Sequence, residues 1–241
     1  MKVAISFLLF FVFCFSISQG VYAQDDKRWN QFGEAALGFG PGQFYGALSW
    51  SHLYGVGKSK KFNIGYGVRY TGFVGKDQEY ITAPAKLTSG EEGPQVMFLE
   101  TIEANLDTFN IKSPGIHAIN LAIYLQYNIS KKLHVGFNID AVGFSFGKKI
   151  SGTFTSDLLD GKPTNLEAKP TSFNALLIGD NDLGSLNSEL FARYLVTEKL
   201  GIKGGIGFLF TEYSTTKKPV LNNDRFRNKT LMLMLGVSYK L

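Results

Sequence analysis

The chain contains one cysteine, Cys14, and three histidines, and no charge of one sign dominates, with 25 Lys+Arg against 20 Asp+Glu. Cys14 lies in an N-terminal apolar run that reads as part of an export signal. The mature chain therefore has no disulfide, no thiolate metal site and no cysteine nucleophile. The basic excess is small and scattered, which excludes a nucleic-acid footprint. Beyond the N-terminal run no segment approaches the ~20 consecutive apolar residues of a spanning helix. A chain of this kind enters a membrane only as strands, because lipid offers unpaired backbone groups no partner.

The signal itself has Lys2 before the apolar run Val3 to Ile17, followed by Val21 and Ala23 in the small-residue pattern of a cleavage site. Residues 1–23 are read as a cleavable signal peptide and 24–241 as one domain. Phe11, Val12 and Phe13 are too bulky before Cys14 for a lipobox.

The mature part alternates apolar and polar residues in segments of about ten, the period of strands with two unlike faces. From Thr230 to Leu241 one face carries Leu231, Leu233, Leu235, Val237, Tyr239 and Leu241, and the other Thr230, Met232, Met234, Gly236, Ser238 and Lys240. Comparable segments run over 200–211 and 119–128, with others at 29–40, 43–54, 62–74, 133–146 and 188–197. In 133–146 the apolar parity switches after Ile139 to Val142, which calls for a β-bulge near Ala141. Tight connections at 55–61, 128–132 and 197–199 alternate with long ones at 75–115, 147–187 and 213–229; Gly40-Pro41-Gly42 is only a turn.

These features specify an all-β fold, an eight-stranded antiparallel transmembrane up-and-down barrel with long external loops and both termini periplasmic. Eight strands leave an interior just filled by side chains. Placing the Phe, Tyr, Ile and Leu face inside would overfill it, so that face meets lipid. Trp29, Trp50, Tyr54, Tyr127 and Tyr239 fit an interfacial aromatic girdle. The segment from Gln95 to Asn110 also alternates, so part of the second external loop is expected to extend the sheet.

The pattern resembles small eight-stranded outer-membrane β-barrel proteins, in particular uncharacterised barrel proteins of Bacteroidota. Gly236, Tyr239 and Leu241 match the glycine, aromatic and terminal hydrophobic positions of the C-terminal assembly signal in such proteins. Met234 and Leu241 depart from it, standing where a polar residue and a phenylalanine are commoner. The resemblance implies outer-membrane lipid and the barrel-assembly machinery as partners, and a location in the cell outer membrane.

On the interior face, Glu34, Arg69, Asp140, Arg193 and Lys203 fall at similar depth. Buried charges demand partners, so an internal network that fills the barrel is expected, with a gate or ion path as the alternative. No catalytic residue, metal or cofactor is assigned. Of the histidines, His52 and His134 fall near the periplasmic end and His117 near the outer rim, where Ile119 replaces the serine a deacylase pair needs. Asp180-Asn181-Asp182-Leu183-Gly184 resembles part of a calcium loop but lacks the remaining ligand series, and reads as an Asx-rich turn.

The second external loop is acidic, with Glu79, Glu91, Glu92, Glu100, Glu103 and Asp107. The fourth is basic, with Lys217, Lys218, Arg225, Arg227 and Lys229. These charges either pair with one another or form a docking surface. The functional readings are a non-enzymatic barrel that is structural or binds a protein or glycan through its loops, or a narrow transporter resembling the outer-membrane protein W type. A lipid-modifying enzyme is the most distant alternative.

Overall fold

The computed structural model describes residues 28–177 and 179–241; the expected signal peptide, with Cys14, lies outside the described residues. The fold is all-β, with thirteen antiparallel strands and, among the described residues, no helix long and apolar enough to cross a membrane. Eight strands are long: β1 (Trp29–Gly40), β2 (Gln43–Val56), β3 (Phe62–Gly75), β6 (Gly115–Asn128), β7 (Leu133–Phe146), β11 (Leu186–Leu195), β12 (Leu200–Thr215) and β13 (Arg225–Lys240). They pair in that order, and β13 returns to β1 through Phe32↔Lys240 to Phe39↔Leu233. Closure satisfies the backbone groups that an open edge would leave unpaired.

The other five strands correct the expectation of eight. They are β4 (Gln78–Thr82), β5 (Thr108–Ile111), β8 (Ile150–Thr155), β9 (Thr164–Pro170) and β10 (Phe173–Ala175). All lie in segments expected to be loops, and each is too short to show several periods of alternation. Four of them close a second ring with the upper ends of β12 and β13, in the order β13–β4–β5–β8–β9–β12. This six-stranded head stands on the eight-stranded ring and shares two strands with it. The remaining short strand, β10, pairs with β7 beyond its bulge.

Several boundaries also move. The strand expected at 188–197 is Leu186–Leu195, while β12 and β13 extend to Thr215 and back to Arg225 to serve the head. The extension expected over Gln95–Asn110 is confined to Thr108–Ile111. Pro94–Phe98 and Glu103–Asn105 are 3-10 turns instead, the first opened by a proline that suits a helical start but cannot donate to a ladder. Trp50 lies six residues inside the end of β2, not at its rim. Ala141 is the extra residue of β7: Leu121 faces Val142 and Ala122 faces Asp140, which moves the outward parity from Ile139 to Val142.

The connection between β1 and β2 is short because Pro41 and Gly42 form a turn, with Gly42 at φ 64°, a conformation a Cβ would strain. Outward side chains of the eight-stranded ring are apolar and exposed, among them Leu231, Leu233, Leu235, Ile123, Leu190 and Ile202. Inward positions hold Gly, Ala, Ser, Asn and the charged residues. The head reverses this: Tyr80, Phe109, Ile111, Phe154, Tyr213 and Phe226 form its buried core.

Candidate functional site

All five charged residues expected on the interior face are buried there, and they join one continuous chain of ion pairs. Arg193 on β11 pairs with Glu34 on β1 through Nη2 and Oε1. Glu34 also accepts from Lys203 of β12 at 3.0 Å. Lys203 reaches Glu189 of β11 at 2.7 Å, and Glu189 lies 3.4 Å from Arg69 of β3. Arg69 ends the chain on Asp140 of β7, with Nη2 at 2.6 Å and Nε at 2.9 Å from the same carboxylate oxygen. Three cations meet three carboxylates.

Glu189 is the member that sequence reasoning missed. It shares the inward parity of Arg193 on β11, and a signal for it existed. Arg69, Arg193 and Lys203 against Glu34 and Asp140 leave one positive charge uncompensated, and a buried network at that depth requires a third carboxylate. Neutral groups fill the remaining valences. Gln126 accepts from Arg193 at 2.6 Å, Asn138 donates to Glu189 at 3.0 Å, and the Tyr45 hydroxyl donates to Glu189 at 3.3 Å. Arg193 and Lys203 also lie over aromatic faces, 3.9 Å from the Phe32 centroid and 4.1 Å from that of Phe191.

Small residues make room for these large ones. The Tyr45 ring crosses the interior onto Gly38 and Gly207, where a Cβ on Gly207 would meet its hydroxyl at 2.7 Å. Above the network, Phe73, Ile116, Leu209, Met232 and Met234 continue the filling to the aromatic core of the head. A void of about 10 Å³ lies between Thr71, Asn120, Asp140 and Asn187. The amide of Asn187 and the hydroxyl of Thr71 face it without a protein partner, and the void is large enough for one water.

The outer faces of β12 and β13 change character at one level. From its C-terminal end, β13 carries on this face Tyr239, Val237, Leu235, Leu233 and Leu231, and then Lys229, Arg227 and Arg225. β12 likewise passes from Phe208 and Phe210 to Glu212. Arg225 and Arg227 pair with Glu212 at 2.8 and 2.7 Å, and Lys229 pairs with Asp180. Arg225, Arg227 and Lys229 thus meet carboxylates of their own hairpin and of the third loop; among the described residues no ion pair joins them to the acids of the second.

The two carboxylates of the calcium-like segment, Asp180 and Asp182, are used in holding loops. Asp180 takes Lys229 and accepts from Thr88 at 3.2 Å; Asp182 accepts the Leu177 N–H at 2.6 Å, and its carbonyl takes Arg225 and Arg227. Burial pushes the Asp182 and Asp107 carboxyls above the ordinary aspartate value. In the head core, burial pushes the Tyr213 hydroxyl up to about 12.

No family model matches the chain, and no curated protein matches it by sequence. Among solved structures it is similar to Neisserial surface protein A, with 10% identity, a TM-score of 0.37, and 88% of this chain and 96% of that one covered. It is also similar to a major outer membrane protein from Thermus thermophilus, with 14% identity, TM-score 0.38 and coverages of 88% and 99%. A de novo designed transmembrane β-barrel aligns at 10% identity and TM-score 0.33, with coverages of 90% and 100%. At such scores none of these likenesses bears on ligand or activity, and no sequence relative supports the resemblance to Bacteroidota barrels.

Gly236, Tyr239 and Leu241 sit at the closing strand. Gly236 faces inward, where a Cβ would lie 2.6 Å from the Ala35 carbonyl, and the Leu241 N–H donates to the Gln31 carbonyl at 3.0 Å. Tyr239 faces outward beneath Lys199, whose Nζ is 5.7 Å from the ring centroid. Trp29, His52, Tyr54, Trp50 and Tyr66 form an outward aromatic cluster at the same end. His117 also faces outward, its Nδ1 2.7 Å from the Tyr70 hydroxyl and its ring stacked on Tyr70 and Phe146. These neighbours are aromatic; a hydrolase would need a serine and a carboxylate there.

Proposed function

We propose that the ring of eight long strands is the membrane-spanning barrel of an outer-membrane protein. Its interior is a closed plug, and its head presents a binding surface outside the cell. The observation that carries this reading is the change along the outer faces of β12 and β13, apolar and exposed from Leu231 to Tyr239 and charged from Lys229 upward with Arg227 and Glu212 covered by the third loop, while the interior passes from the ion pairs of Lys203 to the aromatic core of the head. From Leu231 to Tyr239, a rise of about 3.3 Å per residue and a tilt of about 40° give an apolar band roughly 20 Å tall between its end residues, to which their side chains add, against the ~25 Å of outer-membrane barrels. The tight turns and both described chain ends then lie on the periplasmic side.

The protein is non-enzymatic on this reading. The neutral ion-pair chain and the head core stacked above it support a plug over a gate, because an ion would have to displace paired charges and then cross aromatic packing. A path for apolar solutes through the interior is not supported, since among the described residues the void beside Asp140 has room for one water and the apolar hollow of about 710 Å³ lined by Leu37, Leu48, Tyr70 and Leu235 lies on the outward wall. Gly236, Tyr239 and Leu241 serve the assembly machinery during insertion. The external loops and head are left to engage a protein or glycan partner.

The test is conductance of the refolded mature protein in planar bilayers. Wild type is expected to be silent while folded. Reproducible channels in wild type whose conductance changes in Arg69→Ala or Arg193→Ala would overturn the plug and promote transport.

A further inference from the structure

The second external loop crosses from the top of β4 to the outer wall of β13 and is fastened there. Asp180 joins Lys229, the last outward charge before Leu231, to the Thr88 hydroxyl. The Asn181 side chain exchanges two hydrogen bonds with the Gly93 backbone, at 3.3 and 3.0 Å. The Pro94–Phe98 turn packs against the Gly179–Asn181 turn at this level. Val96 is buried, whereas Phe98 is 87% exposed and Leu99 and Ile102 are each 41% exposed. Three exposed apolar side chains are therefore carried by a loop fastened level with Lys229, at the upper edge of the apolar band.

We infer that Phe98, Leu99 and Ile102 form an interfacial anchor that enters the headgroup region of the lipid leaflet around the outer end of the barrel. The inference rests on the reading of the band below Leu231 as lipid-facing, at whose upper edge the loop is fastened. An exposed phenylalanine held at that height removes its surface from water by dipping into the interface. The segment also has a charge preference. Residues 85–105 carry Glu91, Glu92, Glu100 and Glu103 against Lys86 alone. The anchor is therefore sensitive to ionic strength on anionic lipid, its carboxylates weakening insertion at low salt and cations that screen them or bridge them to the headgroups restoring it.

The experiment uses the refolded mature protein in a Trp29→Phe, Trp50→Phe background, with Phe98→Trp as the single reporter. A parallel protein carries Leu233→Trp as the reporter of the band. Both are placed in phosphatidylcholine vesicles containing lipids brominated near the headgroup or near the chain end. The reporter at 98 is expected to emit at shorter wavelength than free tryptophan and to be quenched at least twofold more by the shallow bromines. That quenching falls when phosphatidylglycerol replaces half of the lipid at low salt, and returns at high salt. The reporter at 233 is quenched by the deep bromines. Water-like, unquenched emission from position 98, and equally from Ile102→Trp, alongside a quenched position 233 would overturn the anchor and leave these side chains to a protein partner. An unquenched position 233 in a folded protein would overturn both readings.

Discussion

The two rings share β12 and β13 yet are filled by opposite chemistry. The eight-stranded ring holds an ion-pair network inside, topped by Phe73, Leu209, Met232 and Met234, and apolar residues outside; the six-stranded head holds Tyr80, Phe109, Phe154, Tyr213 and Phe226 inside and, on β9, polar side chains outside. In the proposed membrane setting the surroundings explain the difference. In water the head gains from burying apolar surface, so its core is built as any soluble core is. A wall facing lipid gains nothing by turning its leucines inward. Its interior is held by ion pairs and hydrogen bonds whose failure leaves an unpaired charge.

The largest effect is expected where that charge balance is broken. Glu34→Ala leaves Arg193 without its carboxylate and should cost about 3–5 kcal/mol in denaturant unfolding of the refolded barrel. A loss below about 1 kcal/mol would mean that the network does not hold the barrel closed. Phe226→Ala should remove about 3 kcal/mol, with the loss confined to the head. Hydrogen exchange would then rise in β4, β5, β8 and β9 while Leu231–Tyr239 stays protected; equal loosening of both would erase the distinction between the rings.

Gly207→Ala is expected to cost about 1–3 kcal/mol by pressing on the Tyr45 ring. The pressure on the Tyr45 hydroxyl is checked in a Tyr45→Phe background, where Gly207→Ala should cost less. The smallest effect concerns pH. The folded-state pKa values of Asp107 and Asp182 are raised by burial, so the folded head binds protons more tightly than the unfolded chain. Their contribution opposes folding above the folded pKa and is relieved as pH falls toward the ordinary value near ~4. Exchange of the backbone amides of β4, β5, β8 and β9, corrected for its intrinsic pH dependence, should therefore slow slightly as the pH falls from neutral toward the ordinary aspartate value; Asp182→Asn should lessen that slowing.

The parity of the long strands, the bulge at Ala141 and the burial of Glu34, Arg69, Asp140, Arg193 and Lys203 were legible in the sequence. A membrane wall separates two unlike environments over ten or more residues, and that separation is written into composition at period two. The second ring was not legible. β5 and β10 are only four and three residues long, too short for alternation to stand out from chance, and the loop acids concealed where each basic residue would find its partner. Nor did sequence indicate that Glu189 completes the network, although charge neutrality asked for such a residue. Its partners Lys203 and Arg69 come from other strands, and Glu34 meets Arg193 across 159 positions of chain. Period and parity belong to a strand by itself; which charge meets which is decided only when the ring closes, because closure sets the register that brings distant strands face to face.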